Sequence, residues 1–131
     1  MRQLTQEILR LCREYGECRV EVERMEEARR VKNALESVCS MARQRLDISD
    51  PALLLALLDA CEVTRDEGML QEVLDVVGRN LDRLAVSVES VKLLACCYYY
   101  VEEEECAERA RRMLEELRKK SWRMRRQFWR N

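Results

Sequence analysis

An all-α fold, with about six helices in antiparallel hairpins forming a short α-solenoid or an irregular bundle, is predicted by three features of the sequence. Three glycines and one proline in 131 residues are too few for the turns of a many-stranded sandwich or barrel. Apolar residues recur at three- and four-residue spacing along most of the chain, the period of a helix with one face in a core. Helix-start signatures stand at Asp50-Pro51, at Thr64 with Glu67, and at Ser87. Residues 1–131 read as one domain: N-terminal helices over 3–46, a pair of hairpins over 50–117, and a basic helical extension over 118–131.

Residues 3–15 carry Leu4, Ile8, Leu9, Leu11 and Cys12 as a stripe, with Gly16 as a left-handed stop. Residues 18–46 then read as one long helix with Met25, Ala28, Val31, Leu35, Val38, Ala42 and Leu46 on its apolar face. Asp50 caps the next helix and Pro51 takes its first position, where no N–H is needed. The stretch from Ala52 to Cys61 is apolar almost all round, which predicts a central helix covered on several sides. Thr64 and Glu67 have the spacing of a capping box ahead of a helix over 67–84. Ser87 caps a fifth helix with Val91, Leu94, Ala95, Tyr98 and Val101, and a last helix begins near Glu102. The acidic run Glu102 to Glu105 suits that helix start, although it also offers a contact for a basic partner or for the chain's own basic end. Cys106, Ala110, Met113, Leu114, Leu117, Met124 and Phe128 extend the last stripe.

At an offset of 36 residues, Leu57-Leu58-Asp59-Ala60-Cys61 falls on Leu93-Leu94-Ala95-Cys96-Cys97, Glu67 on Glu103, and Leu81 on Leu117. Over about residues 52–117 the chain therefore resembles tetratricopeptide and pentatricopeptide-like helical-hairpin repeats, whose neighbours stack to bury a shared core. The resemblance implies an interaction scaffold and transfers no functional residue, because the Trp, Gly and Tyr positions of the tetratricopeptide signature are not matched.

The sequence contains no His, which removes Ser-His and Cys-His nucleophile pairs, His-containing zinc sites and Glu-x-x-His di-metal bundles. No Gly-rich phosphate loop or nucleophile elbow is present. Seven cysteines form no CxxC pair, so reduced thiols are expected, with Cys39, Cys61 and Cys106 acting as small core residues. Neither a metal nor another cofactor is expected, and a thiolate beside an Arg is the one nucleophile that can be named. No apolar run approaches the span of a bilayer and Met1-Arg2-Gln3 does not open a signal peptide; a soluble intracellular protein is expected.

The net charge of −1 conceals a split: residues 1–117 hold 17 basic and 25 acidic side chains, whereas residues 118–131 hold seven basic and none acidic. On a helix, Trp122 and Trp129 share a side with Arg118, Arg125 and Arg126. That face fits an acidic groove on a protein partner, the phosphates and bases of a nucleic acid, or an anionic membrane. Alternatively, the cations complement the helix C-terminus while the tryptophans pack onto preceding helices. Tyr98-Tyr99-Tyr100 must expose at least one ring, and Tyr99 joins the candidate contact residues. The expected function is a non-enzymatic protein-interaction or scaffold module. RNA binding through 118–130 is the alternative, and homo-oligomerisation through the 18–46 helix a further expectation. A His-free, Gly-poor helical composition also suits a designed protein without biological function, against which stand the seven cysteines and 20 Arg to four Lys.

Overall fold

A computed structural model describes the backbone of residues 2–130 and the side chains of residues 2–127. The described residues form six α-helices: α1 (Arg2–Cys18), α2 (Met25–Arg43), α3 (Pro51–Thr64), α4 (Glu67–Arg79), α5 (Val88–Val101) and α6 (Glu104–Arg130). Short 3₁₀ turns at Val22–Arg24 and Leu81–Arg83 lie in two of the connections, and the described residues contain no strand. The all-α expectation holds.

The helices pair as hairpins α1–α2, α3–α4 and α5–α6, while α1, α3 and α5 pack side by side along the stack. α3 touches α1, α2, α4 and α5, as its nearly all-round apolar surface demands. Leu53, Leu54, Ala56, Leu57, Leu58, Ala60 and Cys61 are all buried in it. One contiguous core takes side chains from all six helices, from Ile8 of α1 to Met113 of α6.

Local chemistry sets the boundaries. Asp50 Oδ1 accepts from the Leu53 N–H at 3.2 Å, with Pro51 at the first helical position. Ser87 Oγ accepts from the Ser90 N–H at 3.1 Å to open α5. Left-handed residues close α3 and α5: Arg65 at φ 57° and Glu102 at φ 52°, where glycine would be the ordinary occupant.

Five boundaries differ from the sequence expectation. α1 runs through Gly16 to Cys18, because Gly16 is not at positive φ and nothing forces a stop there. The long 18–46 helix is broken: residues 19–24 turn the chain so that α2 can pack back against α1, and Met25 is exposed instead of lying on a buried stripe. Thr64 is not the cap of α4. It ends α3, its hydroxyl donating to Ala60 O at 2.6 Å, and Asp66 Oδ1 takes the Met69 N–H at 3.0 Å. The fourth helix ends at Arg79, and the last helix opens at Glu104, since Glu102 is occupied in closing α5.

The correspondence between the second and third hairpins also moves by one residue. α3 and α5 are both 14 residues long and begin at 51 and 88, while α4 and α6 begin at 67 and 104, an offset of 37 in each case. Buried positions follow the same step: Leu53 with Ser90, Ala56 with Leu93, Leu57 with Leu94, Ala60 with Cys97, Met69 with Cys106 and Val73 with Ala110. The first hairpin does not share the spacing, because six residues join α1 to α2 whereas two join each of the other pairs.

Candidate functional site: the unpaired end of the last helix

The length of α5 determines what happens to α6. Fourteen residues give α5 a length of about 21 Å, whereas the 27 residues of α6 extend about 40 Å. Cys106, Ala110 and Met113 are buried where the two helices run together. Leu117 is the last partly covered residue, and every residue from Arg118 to Gln127 is exposed. The helix outruns its partner.

This free segment keeps its helical backbone through good helix formers, since Arg, Lys, Gln and Met dominate it. Charge works against it. Lys119 and Lys120 stand four and three residues before Arg123, and Arg123 three before Arg126, spacings at which like charges repel. Glu115 and Glu116 stand four residues before Lys119 and Lys120, but no acidic side chain lies within 118–127 to relieve Arg123, Arg125 and Arg126. Trp122 is 68 % exposed and Met124 72 %, so the indole does not pack onto preceding helices. Lys119, Arg123 and Arg126 line a shallow recess on one flank of Trp122, and Arg118, Ser121 and Arg125 line one on the other. An aromatic ring fenced by cations on both sides, with no fold of its own to rest on, is the arrangement the described tail presents.

Arg118, Trp122, Arg125 and Arg126 are thus brought together and open to solvent. The side chain of Trp129, and with it Phe128, lies outside the described residues. Tyr99 is 78 % exposed but is not part of this cluster. It sits at the end of α5 next to the start of α6, so the antiparallel hairpin separates it from the tail. Its ring meets Tyr100 edge-on at 5.3 Å, and the Tyr100 hydroxyl donates to Glu62 Oε2 at 2.8 Å. Burial and that carboxylate both push the Tyr100 phenol pKa up. Tyr100 therefore ties α5 to α3.

Comparison with protein families, characterised proteins and solved structures gives no match.

The cysteines are packing groups. All seven are free, and six are buried. Burial pushes the thiol pKa of Cys12 up to about 11 and those of Cys39, Cys61 and Cys97 up to about 12. Cys39 does lie near Arg43, but desolvation outweighs the cation. Arg43 serves instead as a clasp between α2 and α4, donating to both carboxylate oxygens of Glu72 at 3.0 and 2.5 Å and lying 3.8 Å from Asp66. Among the described residues no group of three or more Cys, Asp or Glu is arranged to hold a metal ion, and no helix is long and apolar enough to cross a membrane.

Two features were not foreseen from the sequence. A groove of about 490 Å³ lies between residues 78–83 and α6, with Arg79, Arg83, Arg109 and Arg112 interleaved with Asp82, Glu105 and Glu108. Arg109 is already committed there, donating to the Leu81 and Leu84 carbonyls at 3.2 Å each. No local sequence signal joins residues some thirty positions apart. The second is the α1–α2 turn, where Val20, Val22 and Met25 are 75, 78 and 63 % exposed among glutamates. Three exposed apolar side chains within six residues were the signal, hidden by reading 18–46 as one continuous stripe.

Proposed function

We propose that this chain is a non-enzymatic interaction module in which a stack of helical hairpins carries the unpaired end of α6 to an acidic surface of a protein partner. One observation carries the reading: residues Arg118 to Gln127 stay helical with every side chain exposed, including Trp122 and Met124. Exposed Trp and Arg are the residues that dominate protein interfaces when desolvated, and an amphipathic helix entering a groove is a common recognition mode. Six cations without an acid select a negatively charged receiver. The matched starts and caps of the last two hairpins support a scaffold of helical-repeat type. The raised thiol pKa values support the non-enzymatic reading, because they disfavour a thiolate nucleophile.

A second reading follows from the cations on both flanks of Trp122: an RNA base stacks on the indole while arginines hold its phosphates.

The test is capture from nuclease-treated cell extract by the wild-type chain and by a variant with Arg118, Trp122, Arg125 and Arg126 changed to alanine. The account expects proteins retained by the wild type and lost with the variant. Retention of the same proteins by both would overturn it. Material that nuclease abolishes, together with salt-dependent binding to a single-stranded RNA, would transfer the assignment to the second reading.

A further inference from the structure

The three hairpin tips lie at one end of the molecule. Arg19, just after α1, donates to Val63 O near the end of α3 at 3.2 Å, and Tyr100 near the end of α5 bonds Glu62 of α3 at 2.8 Å. α6 starts two residues beyond α5, so its first turn belongs to this same end. The tips are strongly acidic. They hold Glu17, Glu21, Glu23, Glu26 and Glu27 at the first, Glu62, Asp66 and Glu67 at the second, and Glu102 to Glu105 at the third. Arg19, Arg24 and Arg65 are the cations within these segments, and from outside them Arg43 lies 3.8 Å from Asp66 and Arg111 pairs with Glu104 at 3.0 Å. Arg24 is held by Glu27 at 2.9 Å and lies 3.7 Å from Glu21, which leaves Glu17, Glu23 and Glu26 without an ion pair among the described residues. The basic tail leaves from the opposite end.

α6 runs continuously from the acidic end to the tail, so the tail cannot reach its own hairpin tips without breaking the helix. A second copy has no such restriction. The α1–α2 tip adds apolar surface to its charge through Val20, Val22 and Met25, opposite in charge to the tail and matching its exposed Trp122.

We propose that the free segment 118–127 of one copy docks on the 17–27 tip of a second copy, forming a head-to-tail contact. The proposal rests on the tail being a recognition helix and names its receiver. Trp122 lies against Val20, Val22 and Met25, while Arg118, Arg125 and Arg126, on the same face of the helix, supply the partners of Glu17, Glu23 and Glu26. A contact between two different surfaces leaves a free tail and a free tip on every assembly that does not close into a ring, so association continues beyond the dimer. It is also salt-sensitive, because the pairs lie at the surface.

Two variants of the full chain test this by light scattering. One carries W122A, R125A and R126A, and the other carries V22A, E23A and E26A; all six positions are exposed, and unchanged helical circular dichroism and melting confirm the fold. The wild type is expected to grow with concentration up to about 0.5 mM in about 20 mM salt, and to weaken at least about tenfold in about 500 mM salt. Each variant alone stays monomeric. Their equimolar mixture forms a dimer and stops there, because only one intact tail and one intact tip are present. A monomeric wild type at low salt, or a mixture that does not associate, overturns the proposal. If tail-dependent capture of other proteins survives that result, only the identity of the receiver is lost; if capture fails as well, the recognition helix itself falls.

Discussion

Met113 and Trp122 lie nine residues apart on the same helix, and the structure assigns their truncation opposite consequences. Met113 is 0 % exposed and belongs to the common core. Replacing it with alanine removes three buried heavy atoms and leaves a cavity, which costs about 2–5 kcal/mol. Trp122 is 68 % exposed and beyond the reach of α5, so Trp122→Ala falls within about 0.5 kcal/mol of the wild type, as surface changes do. With a urea dependence of about 1–3 kcal/mol per molar for a chain of this size, a loss of about 3 kcal/mol moves the Met113→Ala midpoint down by about 1–3 M. The Trp122→Ala midpoint stays within about 0.5 M. Urea unfolding followed by far-ultraviolet circular dichroism measures both. A loss above about 1 kcal/mol for Trp122→Ala in dilute protein would show that the indole packs within its own chain, and the reading of the tail would fail.

Glu102→Gly should stabilise the protein by about 0.5–1 kcal/mol, because the left-handed conformation costs a non-glycine residue about 1–2 kcal/mol and the extra freedom of unfolded glycine offsets part of the gain; a lowered Tm in thermal unfolding would contradict it. Thiol titration of the native protein at pH 8 should modify at most about one cysteine quickly, the half-buried Cys96, whereas denaturant opens all seven; fast reaction of Cys39 or Cys61 would show that their burial is wrong. A double-mutant cycle on Arg43 and Glu72 should give a coupling of about 0.5–1 kcal/mol, discounted because both side chains are partly exposed. The Arg43 guanidinium holds the Glu72 carboxyl below the usual carboxylate range, so the coupling is present above the unfolded-state pKa of about 4.3 and is lost as pH falls through the lower folded value. A coupling that persists at pH 2 would refute that assignment.

What the sequence made legible follows from where local chemistry decides. Asp50-Pro51 and Ser87 act within a few residues, and the all-round apolar character of α3 announces its central place before any neighbour is known. A break between the first two helices was legible at Gly16, but its place after Cys18 and its length were not, because neither Gly nor Pro stands within 19–24 and the need to return α2 against α1 is a tertiary demand. Thr64 and Asp66 compete as caps two residues apart. The left-handed turn at Arg65 decides between them, and nothing in the residue type arginine advertises that conformation. For the candidate site, the basic and tryptophan-bearing character of 118–131 was plain from composition. Its freedom was not, since that depends on α5 ending 14 residues after it starts while α6 continues for 27. The separation of Tyr99 from the tail is a consequence of the same antiparallel pairing.

Charge patterning carries the functional argument furthest. A total of −1 becomes, in three dimensions, an acidic set of hairpin tips at one end and a projecting cationic helix at the other. Such a molecule steers oppositely charged surfaces to each of its ends, and the two ends are complementary to one another.

Photo-cross-linking from position 122 of the 131-residue chain tests the central claim most directly, with the products located by mass spectrometry. The account predicts cross-links from residue 122 to another polypeptide, foremost to residues 17–27 of a second copy at low salt, and none to α1–α5 of the same chain. Cross-links within the same chain to those helices would contradict it.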